Sequence, residues 1–237
     1  MMKYSIVVPL KNEEENVIDL ISELEPVMTK LGDPWELICI DDGSTDSTLE
    51  ILSNLSKKKP FLRILSFDGN HGQSCAFDAG FKSARGEWVI TMDGDRQNDP
   101  ADIPKLLAEV AKGDLICGHR VNRRDPWHKK ITSKLANAVR SRLCYDDIQD
   151  TGCSLKVYRK ECLHHIKMFK GMHRFLPALF KIEGFRVIEV PVNHRERTKG
   201  TTKYNFFNRS FNTIADMLAV RWMWKRRLSY RIKKEIS

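Results

Sequence analysis

The sequence predicts an α/β fold built on a mostly parallel central sheet flanked by helices. Two observations carry this. Short β-branched and apolar runs alternate with helical stretches of about 10 to 15 residues through the first half of the chain, the pattern of strand–helix–strand crossovers. In addition, the polar clusters of that half fall at the carboxyl ends of the runs, where open α/β sheets bind ligands. With 237 residues, 41% hydrophobic and 30% charged, the chain can build a packed core, which excludes global disorder.

The elements follow in order. Tyr4–Pro9 (YSIVVP) reads as the first strand. Asn12 with Glu15 predicts a helix cap, and Gly32 ends that helix. Glu36–Ile40 is the second strand. Ser47 with Glu50 predicts a capping box opening TLEILSNLS. Leu62–Phe67 is a third strand, followed by a helix over Ser74–Ala84. Glu87–Met92 is the fourth. Asp99 and Asp102 offer caps for a helix ending at Gly113, and Asp114–Cys117 is a short fifth strand. The second half is less regular. A helix is expected over Ile131–Cys144, strands over Ser154–Tyr158 and Arg186–Val192, and a helix near Arg174–Ile182. Residues 195–204 (RERTKGTTKY) read as a basic loop. From Asn205 the apolar residues Phe207, Phe211, Ile214, Leu218 and Trp222 recur at helical spacing. The division is therefore 1–204 as the α/β domain and 205–237 as a basic amphipathic C-terminal helical tail.

Charge is unevenly spread. The net charge is +9. Arg120, Arg123, Arg124, Lys129, Lys130, Lys134, Arg140 and Arg142 form one basic block. Arg221, Lys225, Arg226, Arg227, Arg231, Lys233 and Lys234 form another. Outside them the chain is slightly acidic. Two such blocks point to polyanionic partners, whether phosphate, nucleic acid or an anionic membrane surface. No nucleic-acid-binding module is recognisable, so nucleic acid is set aside. No run approaches the ~18 apolar residues of a membrane span. The apolar stretch before Lys11 is too short for a secretory signal, so a cytoplasmic chain is expected. The six cysteines form no CxxC pair and read as reduced thiols. Cys144, Cys153, Cys162 and His164 match no usual zinc spacing.

Three clusters carry chemistry. Asp93-Gly94-Asp95 closes the fourth strand in TMDGDRQNDP. Two carboxylates one residue apart on a turn can face one divalent cation, Mg²⁺ or Mn²⁺, with Gln97 adding an amide oxygen. Asp41-Asp42-Gly43-Ser44 follows the second strand and opens a helix, where a phosphate, base or ribose could be held. Lys11-Asn12-Glu13 follows the first strand. No phosphate loop, dinucleotide turn, nucleophile elbow or HExxH helix is present.

In order along the chain, VVPLKNEEENV, DDGSTDST, Asn70–Gly72 with AFDAGFKSARGEW, MDGDRQNDP and the R-x-x-G-x-x-K-Y of Arg197–Tyr204 resemble the family 2 glycosyltransferases. More closely, they resemble the polyprenyl-phosphate glycosyltransferases, the dolichyl-phosphate mannose synthase group. The resemblance covers residues 4 to about 204. It implies a GT-A (nucleotide-diphospho-sugar transferase) fold, a UDP- or GDP-linked sugar donor, a divalent metal and a polyprenyl-phosphate acceptor. By motif, Pro9, Asn12, Glu13 and Asp41 would line the nucleotide pocket with Asp42 beside it. Asp93, Gly94, Asp95 and Gln97 would hold metal and donor pyrophosphate. Arg120 would reach the phosphates, Lys129–Ser133 with Lys130 and Asn137 would meet the acceptor phosphate, and Arg197 and Lys203 would close over both substrates. Leu10, Gln73 and Thr202 depart from the commoner tyrosine, lysine and serine.

A lipid phosphate is ionised near neutral pH, its second pKa being about 6, so it can attack the anomeric carbon without a general base and invert it. Asp150 is the one base candidate in the sequence. It would matter in the rival reaction, transfer to a saccharide or lipid-linked saccharide hydroxyl in envelope glycan synthesis. A non-catalytic membrane platform is a second rival, and a phosphatase using Asp93 a remote third. The tail, with Trp222, Trp224 and its basic end, suits a membrane interface. The expected location is peripheral, on the cytoplasmic face of the inner membrane. The alternative is a helix packed on the domain. The oligomeric state is open.

Overall fold

The computed structural model describes residues 1–121, 140–196 and 206–228 with Tyr230 and Lys233, and in the last segment it describes side chains from Thr213 onward. Seven strands, β1 (Tyr4–Leu10), β2 (Trp35–Asp41), β3 (Leu62–Ser66), β4 (Trp88–Thr91), β5 (Leu115–Arg120), β6 (Lys156–Arg159) and β7 (Val187–Val192), form one sheet in the order β3-β2-β1-β4-β6-β5-β7. The pairs β1–β2, β1–β4, β2–β3 and β5–β7 are parallel. Strand β6 runs antiparallel between β4 and β5.

The strands nearest the middle are apolar on both faces because helices cover both. On one face α1 (Val17–Leu31), α2 (Thr48–Ser56) and the short α4 (Ile103–Leu107) pack Leu20, Leu24, Leu52 and Leu106 against Ile6, Val8, Leu37 and Ile90. On the other, α3 (Gln73–Ser83), α5 (Lys160–Leu163) and α6 (Leu176–Ile182) pack Phe77, Phe81, Leu163 and Phe180 against Val7, Ile38, Ile40 and Val89. Helix α3 approaches β1 so closely that a Cβ on Gly80 would lie 2.3 Å from Val7 Cγ1. That contact fixes how near the C-terminal half of α3 lies to β1.

A final helix, α7 (Phe206–Arg226), buries Met217 and Val220 against Met172, Phe175 and Leu179 in a third cluster. The expected stripe turns the other way: Ile214, Leu218 and Trp222 are 52, 55 and 63% exposed. The helical period was right, but the domain takes the neighbouring face. Trp224 is also not a free interfacial residue. It is half-buried, stands edge-on to Tyr145 with centroids 6.0 Å apart, and carries the Arg227 guanidinium over its ring.

Three local expectations are corrected. Helix α1 starts at Val17, not after Asn12, whose φ is +50°. The backbone there is bent to meet the β2 loop, so Asn16 takes the cap position. The Ser47–Glu50 box does not form. Asp46 accepts from Thr48 N at 3.0 Å in its place, and Glu14 accepts from Ser47 N. Helix α4 is short because the ladder tightens to i→i−3 bonds at Glu109, Val110 and Lys112. The expected Ile131–Cys144 helix lies largely outside the described residues, with 140–144 helical.

Candidate functional site

The parallel strands β1, β2 and β4 end on the same edge of the sheet, and their loops converge there. Register sets this: Leu10 stands beside Asp41, and Val7 beside Thr91. Asp42 N donates to Leu10 O at 2.9 Å. The β1 and β2 loops are laced by reciprocal bonds. Asn12 N donates to Ser44 Oγ at 2.9 Å and Thr45 N to Asn12 Oδ1 at 2.8 Å. Glu13 N donates to Thr48 Oγ1, and Lys11 Nζ reaches Gly43 O. Gly43 makes this possible. Its φ is +64°, and a Cβ would lie 2.5 Å from the Gly69 carbonyl carbon, a position only glycine can hold.

Pro9, half-buried on β1, lies next to this junction. Asp41 is buried and accepts from Ser44 N at 3.2 Å and from Ser66 Oγ. Asp42 accepts from His71 N at 2.7 Å and Gly72 N at 2.9 Å. Both acids therefore hold the turns around the cleft. A carboxylate has about four acceptor positions, so capacity for a ligand remains.

The Asp93-Gly94-Asp95 turn follows β4. Asp93 N donates to Asn98 Oδ1 at 3.0 Å, and Gln73 Nε2, at the α3 N-terminus, donates to Asp93 Oδ1 at 2.9 Å. Asp95 is buried, and its Oδ1 accepts from Gln97 N at 3.1 Å. Gly94 sits against Leu10, whose Cδ2 a Cβ would meet at 2.3 Å. Burial, then the neighbouring Asp95 charge, push the Asp93 carboxyl above its ordinary value, opposed by Ser154, Lys156 and Arg120. Two carboxylates that repel in this way, with oxygen donors only, suit a hard divalent cation shared with substrate phosphates. No group of three or more His, Cys, Asp or Glu is gathered for a metal among the described residues, so a closed all-protein cage is not what this turn offers.

Arg96, also at positive φ (+62°), turns to α1 and pairs with Asp19 at 2.6 Å and with Glu23. Arg195, at the root of the basic loop, pairs with Glu23 at 2.5 Å and with Asp99 at 2.7 Å.

Arg120 ends β5. Its Nε and Nη2 donate to Asp150 Oδ2 and Oδ1 at 2.7 and 2.9 Å, and its backbone N donates to Oδ2 as well. Asp150 also accepts from Gly152 N. Burial pushes the Asp150 carboxyl up, but the Arg120 bonds and charge outweigh it and hold the carboxyl at about 2. A carboxylate this acidic is a counter-ion and a poor general base. Asp150 is thus brought against Arg120 at the end of β5, its carboxylate held by the guanidinium.

Sequence reasoning missed Lys156. It is 3% exposed on β6, in register with Thr91 on one side and Cys117 on the other. Its Nζ bonds Cys153 O, with Thr151 O at 3.4 Å. Its charge acts on Asp93 and Asp150. A lysine at the head of a short strand, followed by Val157 and Tyr158, was the available signal. Asn98 was missed as well, one residue past the acidic turn. Arg197, Lys203, Lys129, Lys130, Ser133 and Asn137 lie outside the described residues. Cys144, Cys153 and Cys162 fall in three different apolar clusters and do not come together.

A mixed sheet with an acidic turn beyond its fourth strand, covered by helices on both faces, defines a GT-A class protein. Solved structures agree. Glucosyl-3-phosphoglycerate synthase from Mycobacterium tuberculosis, in complex with Mn²⁺ and UDP-glucose, superposes with a TM-score of 0.70 at 21% identity, over 93% of this chain and 79% of that one. Mannosyl-3-phosphoglycerate synthase from Rubrobacter xylanophilus gives 0.69 at 14% identity, over 100% and 79%. S. aureus TarS with UDP-GlcNAc gives 0.60 at 22%, over 93% and 66%.

Residues 5–167 match Glycosyl transferase family 2, and the chain belongs to that family. Among curated proteins, dodecaprenyl-phosphate galacturonate synthase of Rhizobium johnstonii is 40% identical over 225 residues, 92% of this chain and 66% of that protein. The chain thus spans just under two thirds of that relative's length.

Proposed function

We propose that the chain is a metal-dependent inverting glycosyltransferase that moves a sugar from a UDP- or GDP-linked donor to a polyprenyl phosphate. The observation that carries this is the Arg120–Asp150 pair. Its two bonds, at 2.7 and 2.9 Å, commit the Asp150 carboxylate to the guanidinium, which suits an acceptor that is already an anion and needs no base. The 40% identical relative is named for a polyprenyl-phosphate product, which supports the same acceptor class.

In this account Asp93 and Asp95, with Gln97, would hold Mg²⁺ or Mn²⁺, which would neutralise charge on the leaving diphosphate. Neighbours crystallised with Mn²⁺ and UDP-glucose support that choice of ligand. The loops of Pro9, Asn12, Glu13, Asp41 and Asp42 receive the nucleotide. Gln73 keeps Asp93 turned to the cleft. Arg120, oriented by Asp150, and buried Lys156 keep positive charge where two polyanions must meet. The lipid phosphate oxygen attacks the anomeric carbon opposite the departing nucleoside diphosphate, inverting that centre. Transfer to a hydroxyl would need a base that Asp150, at about 2, does not provide.

No described helix is long and apolar enough to cross a membrane. The exposed α7 face, Ile214, Leu218 and Trp222 with Arg221, Lys225 and Arg226 around it, supports peripheral attachment to an anionic membrane surface, expected on the cytoplasmic side. Each surface cation there is worth ~1 kcal/mol.

The test uses purified protein, Mg²⁺ or Mn²⁺, a panel of UDP- and GDP-sugars, and undecaprenyl phosphate in detergent. Nucleoside diphosphate release should require both metal and lipid. Release indifferent to the lipid would reject the acceptor assignment.

A further inference from the structure

Asn98 is 4% exposed and joins three segments that sequence separates widely. Its Oδ1 accepts from Asp93 N at 3.0 Å and from Ser154 Oγ at 2.7 Å. Its Nδ2 faces Cys153 Sγ at 4.0 Å. Its backbone forms an isolated antiparallel bridge with His194, beside the 3.0 Å bond from Arg195 N to Gln97 O. One buried side chain thus touches the acidic turn after β4 and the segment that leads from Asp150 into β6. Its backbone also holds the chain leaving β7.

We propose that Asn98 is a positioning residue that fixes the Asp93 backbone, and through it the Asp93 carboxylate, relative to the Asp150–Ser154 segment. The residue type fits the task. A buried carboxamide oxygen offers two lone pairs without charge, and both are used. A carboxylate in its place would add a third negative group beside Asp93 and Asp95, which already repel. An apolar residue would leave the Asp93 N–H and the Ser154 hydroxyl buried without this acceptor. Fixing the backbone of a ligand is the outer-shell role that commonly changes metal affinity about 10- to 100-fold when removed. The inference rests on Asp93 being a metal-facing ligand, as proposed above.

The test pairs two readouts. The first is amide hydrogen exchange at Asp93 and at 193–196 in the ligand-free protein. The second is calorimetric affinity for Mn²⁺ with UDP and for Mn²⁺ with GDP. Asn98→Ala should exchange the Asp93 amide at least about 10-fold faster and bind Mn²⁺-nucleotide about 10-fold more weakly. Asn98→Asp, which keeps the acceptor oxygens, should restore protection of the Asp93 amide. Ser154→Ala, which leaves the bond from Asp93 N to Asn98 Oδ1 in place, should keep the Asp93 amide protected. Lower thermal stability in Asn98→Ala with unchanged Asp93 exchange and unchanged affinity would overturn the proposal. If Asn98→Ala does not fold, Asn98→Asp with an unprotected Asp93 amide overturns it equally. If the wild-type protein binds neither Mn²⁺-nucleotide, the metal assignment fails, while the exchange readout still decides the role of Asn98.

Discussion

Arg120 grips Asp150 at two points, Nε to Oδ2 at 2.7 Å and Nη2 to Oδ1 at 2.9 Å, across 30 residues of sequence. The pair sets the carboxylate of Asp150, the base candidate named from the sequence, against a guanidinium. Its carboxyl, at about 2, is ionised throughout any working pH range.

Asp150→Asn should therefore leave the pH dependence of kcat/KM unchanged in shape while lowering its height, since Arg120 loses its orienting partner. A general base would reveal itself as a limb between roughly pH 5 and 8. Disappearance of such a limb in the variant would return Asp150 to the role of base.

Lys156 is the buried cation nearest this pair in charge effect. Lys156→Met keeps volume and removes the charge that offsets Asp93 and Asp150. The expected outcome is a loss of about 10²-fold in kcat/KM, in the range of other electrostatic contributors to charged transition states. Steady-state kinetics on folded variant, verified by circular dichroism, measures it. Wild-type turnover would show that Lys156 serves β6 alone.

Away from the site, Glu36 ties β1, β2 and β3. It is 2% exposed and accepts from Ser5 Oγ at 2.6 Å, Arg63 Nη1 at 2.6 Å and Arg85 N at 2.7 Å. Burial raises its carboxyl, but these bonds outweigh it and hold the value below the ordinary 4.5. Stability from a depressed carboxyl is full above its unfolded value and is lost as pH falls through its folded value. Glu36→Gln should lower Tm at pH 7 and flatten the acid loss of stability below about pH 4.5. An unchanged acid slope in thermal melts would contradict the assignment.

The two faces of α7 should separate by experiment. Leu218→Ser with Trp222→Ser, on the exposed face, should leave Tm unchanged and weaken co-sedimentation with anionic phosphatidylglycerol vesicles. Val220→Ser, at 0% exposure, should instead lower Tm. Equal vesicle binding by the double variant would remove the membrane role from this face.

These features differ in how far the sequence reveals them. Alternation of Tyr4–Pro9 with an amphipathic stretch, and its repetition, is a local signal, so β1 to β5 and their polar ends are legible. Strand direction is not local: nothing within KVYR says that β6 runs antiparallel between β4 and β5. The α7 helix carries two apolar stripes, and only the domain surface selects Met217 and Val220 over Ile214 and Leu218. Asp93 and Asp95 stand out by their spacing. Lys156 bears on Asp93 from another strand, and Asn98 joins Asp93, five positions back, to Ser154, 56 positions on, so their weight appears only once β4 and β6 are side by side.

The most direct measurement is the linkage of the product. Wild-type protein is incubated with metal, the donor that releases its nucleotide, and undecaprenyl phosphate, and the lipid is followed by phosphorus and proton NMR. The account predicts that the lipid phosphomonoester signal is replaced by a phosphodiester carrying the sugar with inverted anomeric configuration. A phosphomonoester that persists while donor is consumed, with sugar on a hydroxyl or on water, would contradict it.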